Sequence, residues 1–236
     1  MVIYWICFSL FLLYFVGYET VWGLTAYKKI MLLIQQGRMA KTALYRQTML
    51  SLWVPAALIL TLVLAGRFTM RDIGIRWVVR NENPVLFYIC LALAVLYFAY
   101  LVYSLIVLGI NARKKVSLNQ EMPDEVKILL PVTKKEKTLW IMTALTAGIT
   151  EELIFRGFFF HLMNVLFPGL SIFAVLGIGA VIFGIGHLYQ GIAEAVKPML
   201  LGLLFGLFYI AFGTILPCML LHFLQDVSAT YIINEE

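Results

Sequence analysis

Six polar side chains stand out in the C-terminal part of this chain: Glu151, Glu152 and Arg156 within six residues, then His187, then His222 and Asp226. Carboxylates and imidazoles brought together away from bulk water are the parts needed to activate a water molecule and to stabilise an oxyanion. Each of the six lies in an otherwise apolar run. An ionisable group at mid-bilayer costs at least ~2.5 kcal/mol, so three within six residues need partners inside the protein and mark a functional site.

Helix geometry sorts the roles. Residues four apart lie about 40° apart around the axis, and neighbours about 100° apart. Glu152 and Arg156 therefore share a face, and Arg156 is expected to neutralise Glu152 as a structural pair. Glu151 points elsewhere and is left free as the base. His222 and Asp226 share a face of their helix, so Asp226 is expected to orient the imidazole. Gly184 and Gly186 flank His187 on the fifth helix and are expected to let another backbone approach, bringing His187 toward the Glu151 helix. His161 falls outside this pattern and reads as a packing residue near a helix end.

The elements that hold these residues are set by hydropathy. Of 236 residues 62% are apolar and only 13% charged, and the mean hydropathy is +0.92; no soluble domain of this length has that composition. Apolar runs recur at about 2–26, 47–66, 84–110, 138–167, 170–190, 197–213 and 215–233, each taken as long enough to cross a core of about 30 Å. The expected fold is an all-α, polytopic membrane helical bundle of about seven transmembrane helices, or eight if the long fourth run bends. It divides into residues 1–137, N-terminal helices with basic connecting loops, and 138–236, the catalytic core, within one membrane domain.

Counting Lys and Arg between the runs puts 13 on one side and 4 on the other, with Arg156 set aside as intramembrane. The larger group, Lys28, Lys29, Arg38, Lys41, Arg46, Arg113–Lys115, Lys127, Lys134, Lys135, Lys137 and Lys197, marks the cytoplasmic side; the smaller is Arg67, Arg71, Arg76 and Arg80. The N-terminus is thus read as outside and the C-terminus as cytoplasmic, in the cell membrane. The net charge of +5 is a topology signal and a contact with anionic lipid, not a nucleic-acid surface.

The first run lacks the basic start and small-residue end of a cleavable signal and is kept as a crossing. Stretches 67–84 and 111–137, the latter with Glu121, Pro123, Asp124 and Pro131, read as surface connections. Cys7, Cys90 and Cys218 lie in apolar helices with no metal-knuckle spacing and no reason for a disulfide. A thiol nucleophile at Cys218 is disfavoured, because a buried thiol stays protonated. Phe158–Phe160 read as lipid or helix contacts, and Trp53, Trp77 and Trp140 as interface anchors.

Glu151-Glu152-Leu153-Ile154-Phe155-Arg156, then Phe183 with His187, then His222 with Asp226 resembles the CPBP family. That family groups CAAX-processing endopeptidases with bacteriocin-processing and immunity proteins, also called Abi, through EExxxR, FxxxH and Hxxx(Asn/Asp) on successive membrane helices. The resemblance covers roughly 138–230, and Asp72-Ile73-Gly74-Ile75 resembles a segment found ahead of a family helix. It implies that Glu151 and His187 activate water and that His222 and Asp226 form the oxyanion hole. One departure matters: CAAX-processing members usually carry Asn where this chain has Asp226. An ionised carboxylate would repel an oxyanion, so Asp226 is read as holding His222 as a cationic donor.

The expected function is an intramembrane endopeptidase acting on a membrane-associated substrate: a prenylated CAAX-type tail, a leader peptide or another membrane protein. Membrane lipid is the other expected partner; nucleic acid is not one, and the oligomeric state is left open. No cofactor is assigned. A zinc ion held by Glu151, His187 and His222 is the alternative, but HExxH is absent and the carboxylates serve without metal. Two other functions compete. A non-catalytic immunity or scaffolding protein would bind a peptide toxin or a membrane partner through the same fold. A proton-coupled transporter would use buried Glu and His, but paired broken helices in matching halves are not found.

Overall fold

A computed structural model describes residues 1–77, 83–111, 127–228 and 230. Arg80, Arg113–Lys115, Glu121, Pro123 and Asp124 lie outside them. Seven helices make up the described chain: α1 Val2–Gln35, α2 Lys41–Leu64, α3 Pro84–Ile110, α4 Lys134–Leu166, α5 Ile172–Ile185, α6 Ile192–Phe212 and α7 Leu216–Ser228. The chain is a polytopic helical bundle and a multi-pass membrane protein.

Local sequence explains the ends. α3 starts with Pro84 at its first position behind Asn83, whose side chain accepts from Leu86 N. α4 starts with a capping box in which Thr133 accepts from Glu136 N and the Glu136 carboxylate accepts from Thr133 N. α6 ends at Gly213, which takes the left-handed conformation at φ 66°. Two helices widen in mid-course: Leu12–Glu19 of α1 and Leu153–Phe158 of α4 are π-helical, the second beginning next to Glu152.

The seven helices follow the seven expected runs, with different lengths. α1, α2, α3, α4 and α6 are long and apolar enough to cross a membrane. α5 has 14 residues and α7 is described over 13, about 20 Å each, which falls short of a 30 Å core. The run at 170–190 overestimated α5 because its last residues form a turn at Gly186 and His187 and then a single 3₁₀ turn, Leu188–Gln190, not α-helix. α4 is one continuous helix and not two.

α4 lies between α2 and α7, while α5 and α6 pack as a hairpin and α3 covers α6 and α7. Gly148 permits the α4–α7 approach, since an added Cβ would stand 3.0 Å from Met219 O and Phe223 N. Phe158, Phe159 and Phe160 are buried helix contacts.

Both supposed surface connections enter the interior where they are described. Phe68 and Ile73 are buried, Ile215 N donates to Gly74 O, and Thr214 Oγ1 donates to Arg76 O. This seat depends on Gly157, where a Cβ would fall 2.1 Å from Ile73 O. Farther on, Leu130 and Pro131 are buried, Lys41 Nζ donates to Leu130 O, and Tyr45 OH donates to Leu129 O. Polar composition marked these as loops; the long-range glycine contact and the side-chain donors of α2 that bury them leave no local trace.

Candidate active site

Residues of α4 and α7 meet at one imidazole. His222 Nδ1 lies 2.8 Å from Glu152 Oε1, and the same oxygen accepts from Arg156 Nη1 at 3.0 Å. A carboxylate oxygen accepts, so Nδ1 of His222 carries the proton and Nε2 is the free edge. Nε2 points toward Glu151 Oε2 and Asp226 Oδ2, each 3.7 Å away. Glu152 and Arg156 are almost fully buried, at 0% and 3% side-chain exposure, whereas the Asp226 side chain is 35% exposed. Glu152 Oε2 and Arg156 Nη2 are buried without a hydrogen-bond partner among the described residues.

The distances redistribute the roles inferred from spacing. Glu152 pairs with Arg156 at i,i+4, and it also holds His222. Asp226, expected to orient the imidazole, stands beyond hydrogen-bond reach at 3.7 Å. Its carbonyl accepts from Trp140 Nε1 at 2.9 Å, so Trp140 ties α4 to α7 and is not a lipid anchor. Trp77 is 89% exposed.

His187 lies in the turn after α5 and not on the helix, since α5 ends at Ile185 with Gly186 as its cap. Its Nδ1 donates to Phe183 O at 2.8 Å, which leaves Nε2 as the reactive edge. The glycine argument also needs correction. Gly184 meets Ala195 and Met199 of α6, with a Cβ falling 2.9 Å from Met199 Cβ, and Gly186 meets only its own turn. Phe183 links the two histidines instead: its ring lies 4.8 Å from that of His187 and 6.4 Å from that of His222, with the Arg156 guanidinium 4.7 Å over its face.

Glu151 and His187 line one cavity of about 280 Å3, together with Phe155, Phe183, Tyr45, Trp140, Tyr189 and Glu19. The six expected residues therefore come together: Glu151, Glu152 and Asp226 lie within 4 Å of His222, Arg156 pairs with Glu152, and His187 joins them through the cavity and the Phe183 ring. Glu19 was missed. Its only signal was an acidic residue inside the first apolar run. His161 stays apart, with its ring against Tyr4 and Phe68.

Among the described residues no three His, Cys, Asp or Glu side chains form a group that could hold a metal ion. Cys218 is fully buried, with Sγ donating to Phe205 O at 3.3 Å.

Comparison with known proteins bears on this same region. Residues 134–228 match the family model of the type II CAAX prenyl endopeptidases, Rce1-like; the match opens at the start of α4 and closes at the end of α7. No curated protein and no solved structure matches the chain.

Proposed function

From the premise that residues 134–228 are a domain of the Rce1-like type II CAAX prenyl endopeptidase family, a protease family consistent with CPBP, we propose that this chain hydrolyses a peptide bond of a membrane-associated substrate with water activated by Glu151. The observation that carries the proposal is the shared cavity of Glu151 and His187 beside the His222 cluster. Glu151 takes a proton from water as the oxygen attacks the scissile carbonyl. The C–N bond then breaks, and the proton passes to the leaving amine. His187, with Nδ1 held by Phe183 O, presents Nε2 to the same water. His222, fixed by Glu152 and Arg156, turns Nε2 to the developing oxyanion, and a proton there makes it the stabilising donor. Asp226 acts on His222 by charge and does not contact the oxyanion.

A second cavity, of about 450 Å3 between α1 and α2, supports a substrate with an apolar anchor. It is lined by Leu10, Phe11, Leu58, Ile59 and Phe158 among others, and it shares Phe15 and Tyr18 with the first. A prenyl chain or apolar segment seated there would leave the adjoining peptide at Glu151. The catalytic cavity lies by the N-terminal part of α2 and the 127–133 segment, near Lys41 and Lys127. The distribution of Lys and Arg assigns that end to the cytoplasm, with the N-terminus outside and the C-terminus inside.

Glu151→Gln should lower cleavage by roughly 10²–10⁴-fold while the protein still inserts in membranes at wild-type level. Membrane peptides that accumulate with this variant then identify the substrate. A folded Glu151→Gln protein with undiminished proteolysis, or with its full biological effect and no proteolysis, would overturn the mechanism.

A further inference from the structure

Glu19 stands outside the region that matches the protease family, yet it lines the same cavity as Glu151 and His187. It sits near the middle of α1, a helix long and apolar enough to cross a membrane, where a carboxylate normally has a cationic partner. No Lys, Arg or His pairs with it among the described residues. Its side-chain neighbour is Tyr14, whose hydroxyl donates across the cleft to Ser51 O of α2 at 2.9 Å.

The backbone at Glu19 is an independent observation. Leu12–Glu19 is π-helical and ends on this residue. An inserted π turn shifts the register of the side chains that follow, and such turns recur at functional sites. The facing segment, Leu153–Phe158 of α4, is also π-helical and begins just after Glu152. The two segments pack directly, with the Phe15 and Phe155 rings 4.9 Å apart and Phe11 against Phe155 at 5.6 Å. The first widened turn thus ends on Glu19 and the second begins two residues after Glu151, and both carboxylates line one cavity.

The rest of the lining defines what that wall would bind. It contains no Lys or Arg, and it presents Tyr18, Trp22, Tyr27, Tyr45, Trp140 and Tyr189 beside Glu19 and Glu151. Aromatic faces and a carboxylate in a partly desolvated space attract a cation by ring quadrupole and charge-assisted hydrogen bonding. A space of about 280 Å3 takes one or two side chains and not a folded segment. We propose that Glu19 is a specificity-determining residue that binds a lysine or arginine side chain of the substrate close to the scissile bond. The inference rests on the endopeptidase reading and adds the substrate class to it. Glu151, near the aromatic wall, is reserved for water, while Glu19 lacks a counter-charge in the protein and takes it from the substrate.

The test is cleavage-site profiling of a mixed-sequence peptide library by the full-length protein in lipid–detergent micelles, with cuts read by mass spectrometry and compared with Glu151→Gln. The wild type should enrich Lys or Arg roughly tenfold at one position within about three residues of the cut. Glu19→Gln should remove that enrichment, Glu19→Asp should keep part of it, and Glu19→Lys should shift it to Asp or Glu. Cuts that depend on Glu151 but show no basic preference, or a preference that Glu19→Gln leaves in place, overturn the role of Glu19 alone. A Glu19→Gln variant that loses all cuts alike shows a structural residue and also overturns it. No cuts beyond those of Glu151→Gln overturn the endopeptidase reading along with it.

Discussion

α3 and α4 cross the same bilayer and have opposite surroundings. The most apolar window of α3 is only 11% buried in protein, whereas that of α4 is 50% buried, although α4 is the less apolar of the two. In water the order would be reversed, because burial follows apolarity. In lipid the apolar helix has no reason to hide, and the helix that must be enclosed is the one with charges and small residues. α4 carries Glu151, Glu152, Arg156, Gly148 and Gly157; α3 has no charged residue between Pro84 and Ile110. Hydropathy therefore finds the helices that face lipid, and its local minimum finds the one that carries most of the candidate site.

The strongest way to break this contrast is to leave a charge unpaired inside α4. Arg156→Met removes the guanidinium from Glu152 and from the Phe183 face while both charged side chains are buried. The expected destabilisation is about 3–5 kcal/mol, measured by unfolding in mixed micelles, because an uncompensated buried carboxylate remains. The double variant Glu152→Gln/Arg156→Met should recover most of this stability while remaining inactive, since Nδ1 of His222 loses its carboxylate. A single variant as stable as wild type would show that His222 alone satisfies Glu152.

A smaller effect separates close backbone packing from lipid exposure. Gly157→Ala places a Cβ 2.1 Å from Ile73 O, a backbone atom that has to move, whereas Gly109 of α3 has nothing within 4 Å. Gly157→Ala is expected to lose roughly 1–3 kcal/mol and unseat the 67–77 segment, and Gly109→Ala to stay within about 0.5 kcal/mol of wild type. Protease accessibility of Arg71 and Arg76 reads the unseating directly. Equal stability of the two variants would mean that the segment is only a surface connection.

Legibility follows the same division. The motif residues could be read because helical spacing is local: Glu152 with Arg156, and His222 four residues before Asp226. What joins those helices could not be read. The bond from Glu152 to His222 spans 70 residues, and nothing in either motif says that Glu152 outcompetes the nearer Asp226 for the imidazole. His187 was placed on a helix because its flanks are apolar, although the Gly184–Gly186 pair was a local sign of a helix end. Gly157, an uncharged residue with no spacing signal of its own, turned out to seat the 67–77 segment. Glu19 was overlooked because a single acidic residue in an apolar run carries no spacing that names a partner.

The smallest expected effect lies at the rim of the buried cluster, where solvent begins to screen charge. Asp226 is 3.7 Å from His222 Nε2 with its side chain 35% exposed, while Glu152 on the other ring edge is at 2.8 Å and 0% exposed. Asp226→Asn keeps the shape, and keeps the carbonyl that accepts from Trp140, so it removes the charge alone. If Asp226 acts by favouring a proton on Nε2, kcat should fall about tenfold with KM little changed, as for an interaction made mainly in the transition state. Stability should change by less than about 1 kcal/mol, the range of an exposed ion pair. A gain in activity would instead mean that Asn donates to the oxyanion directly, with Asp226 marking a chain tuned to a slower reaction. Unchanged kcat would remove Asp226 from the mechanism and leave His222 governed by Glu152 on one ring edge and Glu151 on the other.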